Sequence, residues 1–224
     1  FSKLKMTKII VNNTVIVMKF GGTSLRSKDS RFKALEHIRS HHESGKKIVI
    51  VVSAMGRKGE PYATDTLIQL MKDVGEPVNP IELDSAISVG ESLSAAYFSH
   101  FLTQNELSSE SFSGNKTGIL TDNNAGSAEI LEIETSRIKN SINLGKIAVV
   151  AGFQGTNVQG DIRTLGRGGS DTSAVALGSE MNAEFVEIYS DVDGIANCDP
   201  NIIPEASFLG NIGVTQIMSM ANEG

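Results

Sequence analysis

Four short, almost wholly apolar and largely β-branched runs constrain this chain most: Val15–Phe20, Lys47–Val52, Lys146–Ala151 and Phe185–Tyr189. A strand with one wet face alternates apolar and polar residues. A run that is apolar at both parities must be covered on both faces, which is the condition of a parallel sheet between helices. The intervening segments supply that cover. Ser30–Ser44 places Phe32, Leu35 and Ile38 at helical spacing and stops at Gly45. Thr64–Val74, the long Ala-, Ser- and Leu-rich Ile81–Gln104, and Thr135–Leu144 follow. Ser170–Met181 opens on Ser-Asp-Thr-Ser, side chains suited to capping a helix N-terminus. The alternation predicts one α/β domain with a largely parallel sheet sandwiched by helices. Glu110–Asn124, rich in Ser, Asn and Gly, reads as a hairpin or loop and as a lid or rim of a site.

Two glycine-rich loops stand where such sheets bind ligands, beyond the carboxyl ends of strands. In the first, the strand ending at Phe20 runs straight into Gly21-Gly22-Thr23-Ser24. Glycines let backbone N–H groups approach a phosphate, the hydroxyls add donors, and Lys19 brings a compact positive charge. The pattern is neither a Walker A loop nor a dinucleotide fingerprint. The second loop, Thr164-Leu-Gly-Arg-Gly-Gly-Ser-Asp-Thr, leads into a helix whose N-terminus favours anions. Arg167 can grip a carboxylate or phosphate with its two-pronged guanidinium. Asp171, in the first helical turn, reads equally as a cap and as the holder of Lys19 or another cation. A third loop, Ser190-Asp-Val-Asp-Gly-Ile, puts acidic residues at a strand end. It is not a calcium loop, because its twelfth position is Ile202 and not Glu.

Composition narrows the partners. The 224 residues carry a net charge of -6 and no extended basic cluster, which argues against a nucleic-acid surface. Cys198 is the single cysteine, so neither a disulfide framework nor a cysteine zinc site is expected. No apolar run approaches the ~20 residues that span a bilayer. Phe1 to Asn12 lack an apolar core followed by a small-residue cleavage site, so a cytoplasmic location without membrane attachment is expected.

Six segments, in order, resemble the aspartate kinase branch of the amino acid kinase family. They are Lys19-Phe-Gly-Gly-Thr-Ser, Val51-Val-Ser-Ala-Met-Gly, Val89-Gly-Glu-Ser, Ala151-Gly-Phe-Gln-Gly, the Thr164–Thr172 loop and Ser190-Asp-Val-Asp-Gly-Ile. The resemblance runs from about residue 14 to 224, making residues 1–13 an N-terminal extension to a catalytic domain. It implies a three-layer αβα sandwich around a mainly parallel, eight-stranded sheet. It also implies transfer of the γ-phosphoryl group of ATP to the side-chain carboxylate of L-aspartate. That reaction opens the route to lysine, threonine and methionine, and its magnesium is carried on the nucleotide phosphates, with no dedicated protein metal site.

Carried onto this sequence, the resemblance makes Lys19 the phosphate-stabilising cation and Asp171 the organiser of the charges. Gly21 and Gly22 become the phosphate cradle, and Tyr189, Ser190 and Asp191 the nucleotide-binding strand end. Glu91 would hold the substrate ammonium, although by helical position alone it reads as a solvated residue. Arg167 would clamp a carboxylate, with Gly168, Gly169 and Ser170 beside it. Thr23, Ser53 and Thr64 would complete the substrate pocket. Family members read Tyr and Arg where this chain has Ala196 and Asn201, two positions that help hold the nucleotide. Members also continue into two small regulatory domains, expected to lie outside this chain, and the resemblance favours a homodimer. The alternatives are a kinase for glutamate or N-acetylglutamate, or a nucleotide-binding kinase-domain fragment with little activity. An ionised side-chain carboxylate needs no general base, and the four histidines all fall in helical stretches outside the motifs.

Overall fold

A computed structural model describes residues 14–190. The chain divides into two units, residues 1–189 and 190–224, so the elements below all belong to the first. The four apolar runs become β1 (Val15–Phe20), β2 (Lys47–Val52), β6 (Ile147–Ala151) and β9 (Val186–Tyr189). With β3 (Ser109–Phe112) they form a parallel sheet in the order β3-β6-β2-β1-β9. The register sets Lys19 beside Val51 on one side and Ile188 on the other.

Helices cover both faces. Ile16, Met18 and Phe20 pack with Leu35 and Ile38 of α1 (Lys28–Glu43) and with Phe98 and Leu102 of α3 (Pro80–Gln104). Val17, Val49 and Val51 pack with Ile138 and Ile142 of α4 (Ser136–Asn143) and with Ala174 and Leu177 of α5 (Gly169–Glu180). Successive side chains of a strand point to opposite faces, so each apolar run feeds two cores at once. The architecture is a three-layer αβα sandwich with a mainly parallel sheet. α2 (Thr64–Val74) lies against α3 and buries none of its residues fully.

Three features depart from the sequence expectations. Among the described residues, the strands do not make one eight-stranded sheet. A separate sheet runs β5-β4-β7-β8, built from β4 (Ile119–Thr121), β5 (Ile130–Ile133), β7 (Gln154–Thr156) and β8 (Ile162–Thr164). Residues 110–124 are more than a hairpin or loop, because they supply the edge strand β3 of the parallel sheet as well as β4, which pairs antiparallel with β5 in the second sheet. Ser170 does not cap α5: that helix begins at Gly169 after Gly168 in a left-handed conformation, with no side-chain cap. By contrast, α1 starts earlier than its apolar spacing suggests, because Ser27 and Ser30 close a reciprocal capping box. No helix of the described residues is long and apolar enough to cross a membrane.

Candidate active site

The first glycine loop is anchored by backbone contacts. Gly21 N donates to Tyr189 O at 3.1 Å, and Gly56 N donates to Gly22 O at 3.3 Å. Gly22 is pressed onto the neighbouring loop so closely that a Cβ there would sit 2.3 Å from Ala54 O. Only glycine permits that approach. The loop therefore holds the end of β1 steady, and with it Lys19.

Lys19 is nearly buried at the carboxyl end of β1, and its Nζ lies 2.7 Å from Asp171 Oδ1 in the first turn of α5. The arrangement is a contact between charges, without the alignment of a directed hydrogen bond. The Asp171 side chain is about half exposed, at 46%, but the Oδ1 that faces Lys19 is itself buried, so the exposure lies on the rest of the side chain. A lysine ammonium carries three N–H donors, so contact with one carboxylate leaves it able to engage an incoming anion.

Glu91 sits in the middle of α3 and is only 3% exposed. The solvated-helix reading is thus wrong for this residue. Tertiary packing buries it, because Gly90 lets the next loop settle onto the helix: a Cβ at that position would lie 2.7 Å from Tyr62 O and 2.8 Å from Ala54 Cβ. Glu91 Oε1 accepts from Ala54 N at 3.1 Å, while Oε2 is buried without a hydrogen-bond partner among the described residues. Burial pushes the carboxyl up to about 7, against the opposing pull of the Ala54 N–H.

These groups meet in one cavity of about 520 Å³. Lys19, Asp171 and Ser170 line one part of it, with Gly169 at the start of α5 and Gly168 and Arg167 on the loop before it. Arg167 is exposed and forms no ion pair among the described residues. Ser53 and Thr64 contribute hydroxyls, Glu91 a carboxylate, and Ile68, Leu83, Ile87 and Phe153 an apolar wall. Gly21, Gly22, Thr23 and Tyr189 are not among the lining residues. The Tyr189 ring stacks on Phe20 at 4.7 Å, and its hydroxyl donates to Glu187 at 2.7 Å. Burial and the Glu187 charge both hold the phenol above its ordinary range. Tyr189 meets the first glycine loop through its carbonyl, which accepts from Gly21 N and Ser24 Oγ. Ser190 is exposed, while Asp191, Ala196 and Asn201 lie outside the described residues.

The sequence reading gives no role to Phe153 or Asp84, both of which line the cavity. Phe153 adopts a left-handed φ of 66°, unusual for a bulky residue, and nothing in its local sequence signals this. Asp84 is wholly buried seven residues before Glu91. That spacing puts the two carboxylates on one helical face, the single sequence clue available. Chemically, the cavity sets a cation near a helix N-terminus, a guanidinium and a buried carboxylate oxygen, the last two without partners among the described residues. It can hold a small zwitterion and a polyanion at once.

Residues 14–224 match the sequence profile of the amino acid kinase family. The chain is 41% identical over 210 residues to aspartokinase 1 of Bacillus subtilis, covering 94% of this chain and 52% of that protein. It superposes on the crystal structure of aspartate kinase from Synechocystis with a TM-score of 0.79 and 34% identity, over 93% of this chain and 33% of that one. E. coli aspartokinase III, solved with aspartate and ADP, superposes with a TM-score of 0.78 over 93% of this chain and 56% of that one. At 23% identity this last likeness bears on the fold alone. The chain spans about half the length of the curated relatives it matches.

Proposed function

The chain belongs to the amino acid kinase family, and from that premise we propose that it transfers the γ-phosphoryl group of ATP to the side-chain carboxylate of L-aspartate. The observation that carries the substrate assignment is the buried Oε2 of Glu91, without a partner among the described residues, in the same cavity as Arg167 and Lys19. A buried carboxylate with a free oxygen calls for a cation, and the ammonium of a free amino acid supplies one. N-acetylglutamate, whose nitrogen is an amide, does not. Arg167 then takes the α-carboxylate, leaving the side-chain carboxylate to face Lys19.

In the reaction, an oxygen of that carboxylate bonds to the γ-phosphorus as the bond from phosphorus to the bridging oxygen breaks. ADP leaves, and the product is an acyl phosphate. The acceptor is already ionised at neutral pH, so the protein's task is positioning and charge neutralisation. Lys19 and the amides at the start of α5 offset repulsion between the two anions. Asp171 keeps Lys19 directed at the cavity until a phosphate competes for it. Magnesium fits here as a passenger on the nucleotide: the oxygen donors beside Lys19, Asp171 and Ser170, are hard ligands suited to it. When bound, it neutralises developing phosphate charge.

The test is a hydroxylamine trap for acyl phosphate, run with magnesium-ATP and aspartate, glutamate or N-acetylglutamate. Hydroxamate formation with aspartate above the other two is the expected result. A signal with N-acetylglutamate and none with aspartate would remove the role given to Glu91.

A further inference from the structure

Asp84 has no place in the chemistry above, yet it is a wholly buried carboxylate on the wall of the cavity. Burial of a charge is costly unless donors surround it, and here they do. Oδ1 accepts from Thr164 Oγ1 at 2.6 Å and from Gly126 N at 3.0 Å. Oδ2 accepts from Thr164 N at 3.2 Å and from Gly126 N at 3.1 Å. None of these donors lies on α3. Thr164 ends β8 and is followed directly by the loop that carries Arg167. Gly126 lies in the turn between β4 and β5, and Ala128 N in that segment donates to Thr164 O at 2.9 Å. The turn and the loop also touch, since a Cβ at Gly166 would stand 3.2 Å from Gly126 O. Asp84 thus ties the helix bearing Glu91 to the loop bearing Arg167 and to the turn that backs the loop. With both oxygens engaged internally, it is built to brace and not to bind.

We propose that Asp84 is a positioning residue that fixes the separation of Arg167 from Glu91 and so sets the length of amino acid the cavity accepts. The brace stands on the hydrogen bonds alone; its consequence for substrate length rests on the functional reading above. Arg167 and Glu91 grip groups of the substrate that do not react. A slack brace therefore weakens ground-state and transition-state binding alike, which raises KM more than it lowers kcat.

Thr164→Val removes the short hydroxyl bond while keeping the shape and the backbone donor, Thr164→Ser restores the hydroxyl, and Asp84→Asn turns an acceptor into a donor facing N–H groups. The expected result is a KM for aspartate about 10-fold higher in Thr164→Val and higher again in Asp84→Asn. In Thr164→Val, kcat should stay within about 3-fold, the KM for ATP should be unchanged, and the preference for aspartate over glutamate should be reduced. Thr164→Ser should recover the wild-type values. Loss of active protein with unaltered KM values and unaltered preference would overturn the positioning role. Hydrogen exchange on the same proteins gives a reading independent of activity. Faster exchange confined to residues 124–128 and 164–168 is expected, and unchanged exchange there would overturn the brace. If the wild-type chain phosphorylates neither amino acid, the functional reading fails and the exchange data alone decide on Asp84.

Discussion

Replacing Glu91 by Gln should make the protein more stable and its site worse, and the size of each effect follows from burial. The carboxyl is 3% exposed and its pKa is pushed from 4.5 to about 7. Because the folded value lies above the ordinary one, the fold prefers the protonated form. That preference is fully expressed below pH 4.5 and is lost as the pH rises through about 7. A gap of this size amounts to about 3 kcal/mol of lost stability by pH 8. Gln still accepts from Ala54 N and carries no charge. Its NH2 takes the place of Oε2, where no partner waits, at a cost of about 1–2 kcal/mol. The net gain is about 1–2 kcal/mol at pH 8, roughly 3–6 °C in Tm for a chain of this length. At pH 5, where Glu91 is itself protonated, the gain disappears.

Substrate binding moves the other way. An ammonium loses its buried counter-charge, worth about 2–4 kcal/mol, so the KM for aspartate rises roughly 30- to 1000-fold. In the unaltered protein that KM should fall about 10-fold between pH 6 and pH 8 as Glu91 ionises. In the variant it should be flat across the same range. Thermal melts at pH 5 and pH 8, with steady-state ADP release between pH 6 and pH 8, measure both halves. A variant equally destabilised at both pH values, or one with an unchanged KM for aspartate, would refute the reasoning.

Lys19→Ala should lower kcat by roughly 10²- to 10³-fold, the loss typical of a preorganised charge at the transition state. Its circular dichroism should stay native, because Asp171 lines the cavity and removal of the lysine side chain opens its buried Oδ1 to water. Turnover near that of the unaltered chain would end the role given to Lys19. Gly22→Ala drives a methyl to 2.3 Å from Ala54 O, so the two loops must part. A loss of about 1–3 kcal/mol in denaturant melts is expected, with a raised KM for ATP; an unchanged melting curve would show that the loops yield freely.

The sheet could be read from the chain because β1, β2 and β6 are buried on both faces, and a strand so placed must be apolar at both parities. The second sheet could not. β7 is Gln-Gly-Thr and β8 is Ile-Arg-Thr, and their buried members include Gln154, Thr156, Arg163 and Thr164. Periodicity detects apolar burial and is silent when the buried residues are polar. The same blindness divides the site. Lys19 is conspicuous because a charge near the end of an apolar strand is anomalous, and Arg167 because glycines surround it. Asp171 reads equally as a cap or a partner until the fold sets it 2.7 Å from Lys19. Glu91 and Asp84 look like ordinary solvated helix residues. What distinguishes them is a set of donors 37, 42 and 80 residues away, which no local pattern encodes. The wall of the cavity is made where polar groups are buried and paired across long separations. Local sequence therefore marks the phosphate end, built from glycines and a strand terminus, more clearly than the amino-acid end, which exists only once α3, β8 and the 54–62 loop have closed on one another.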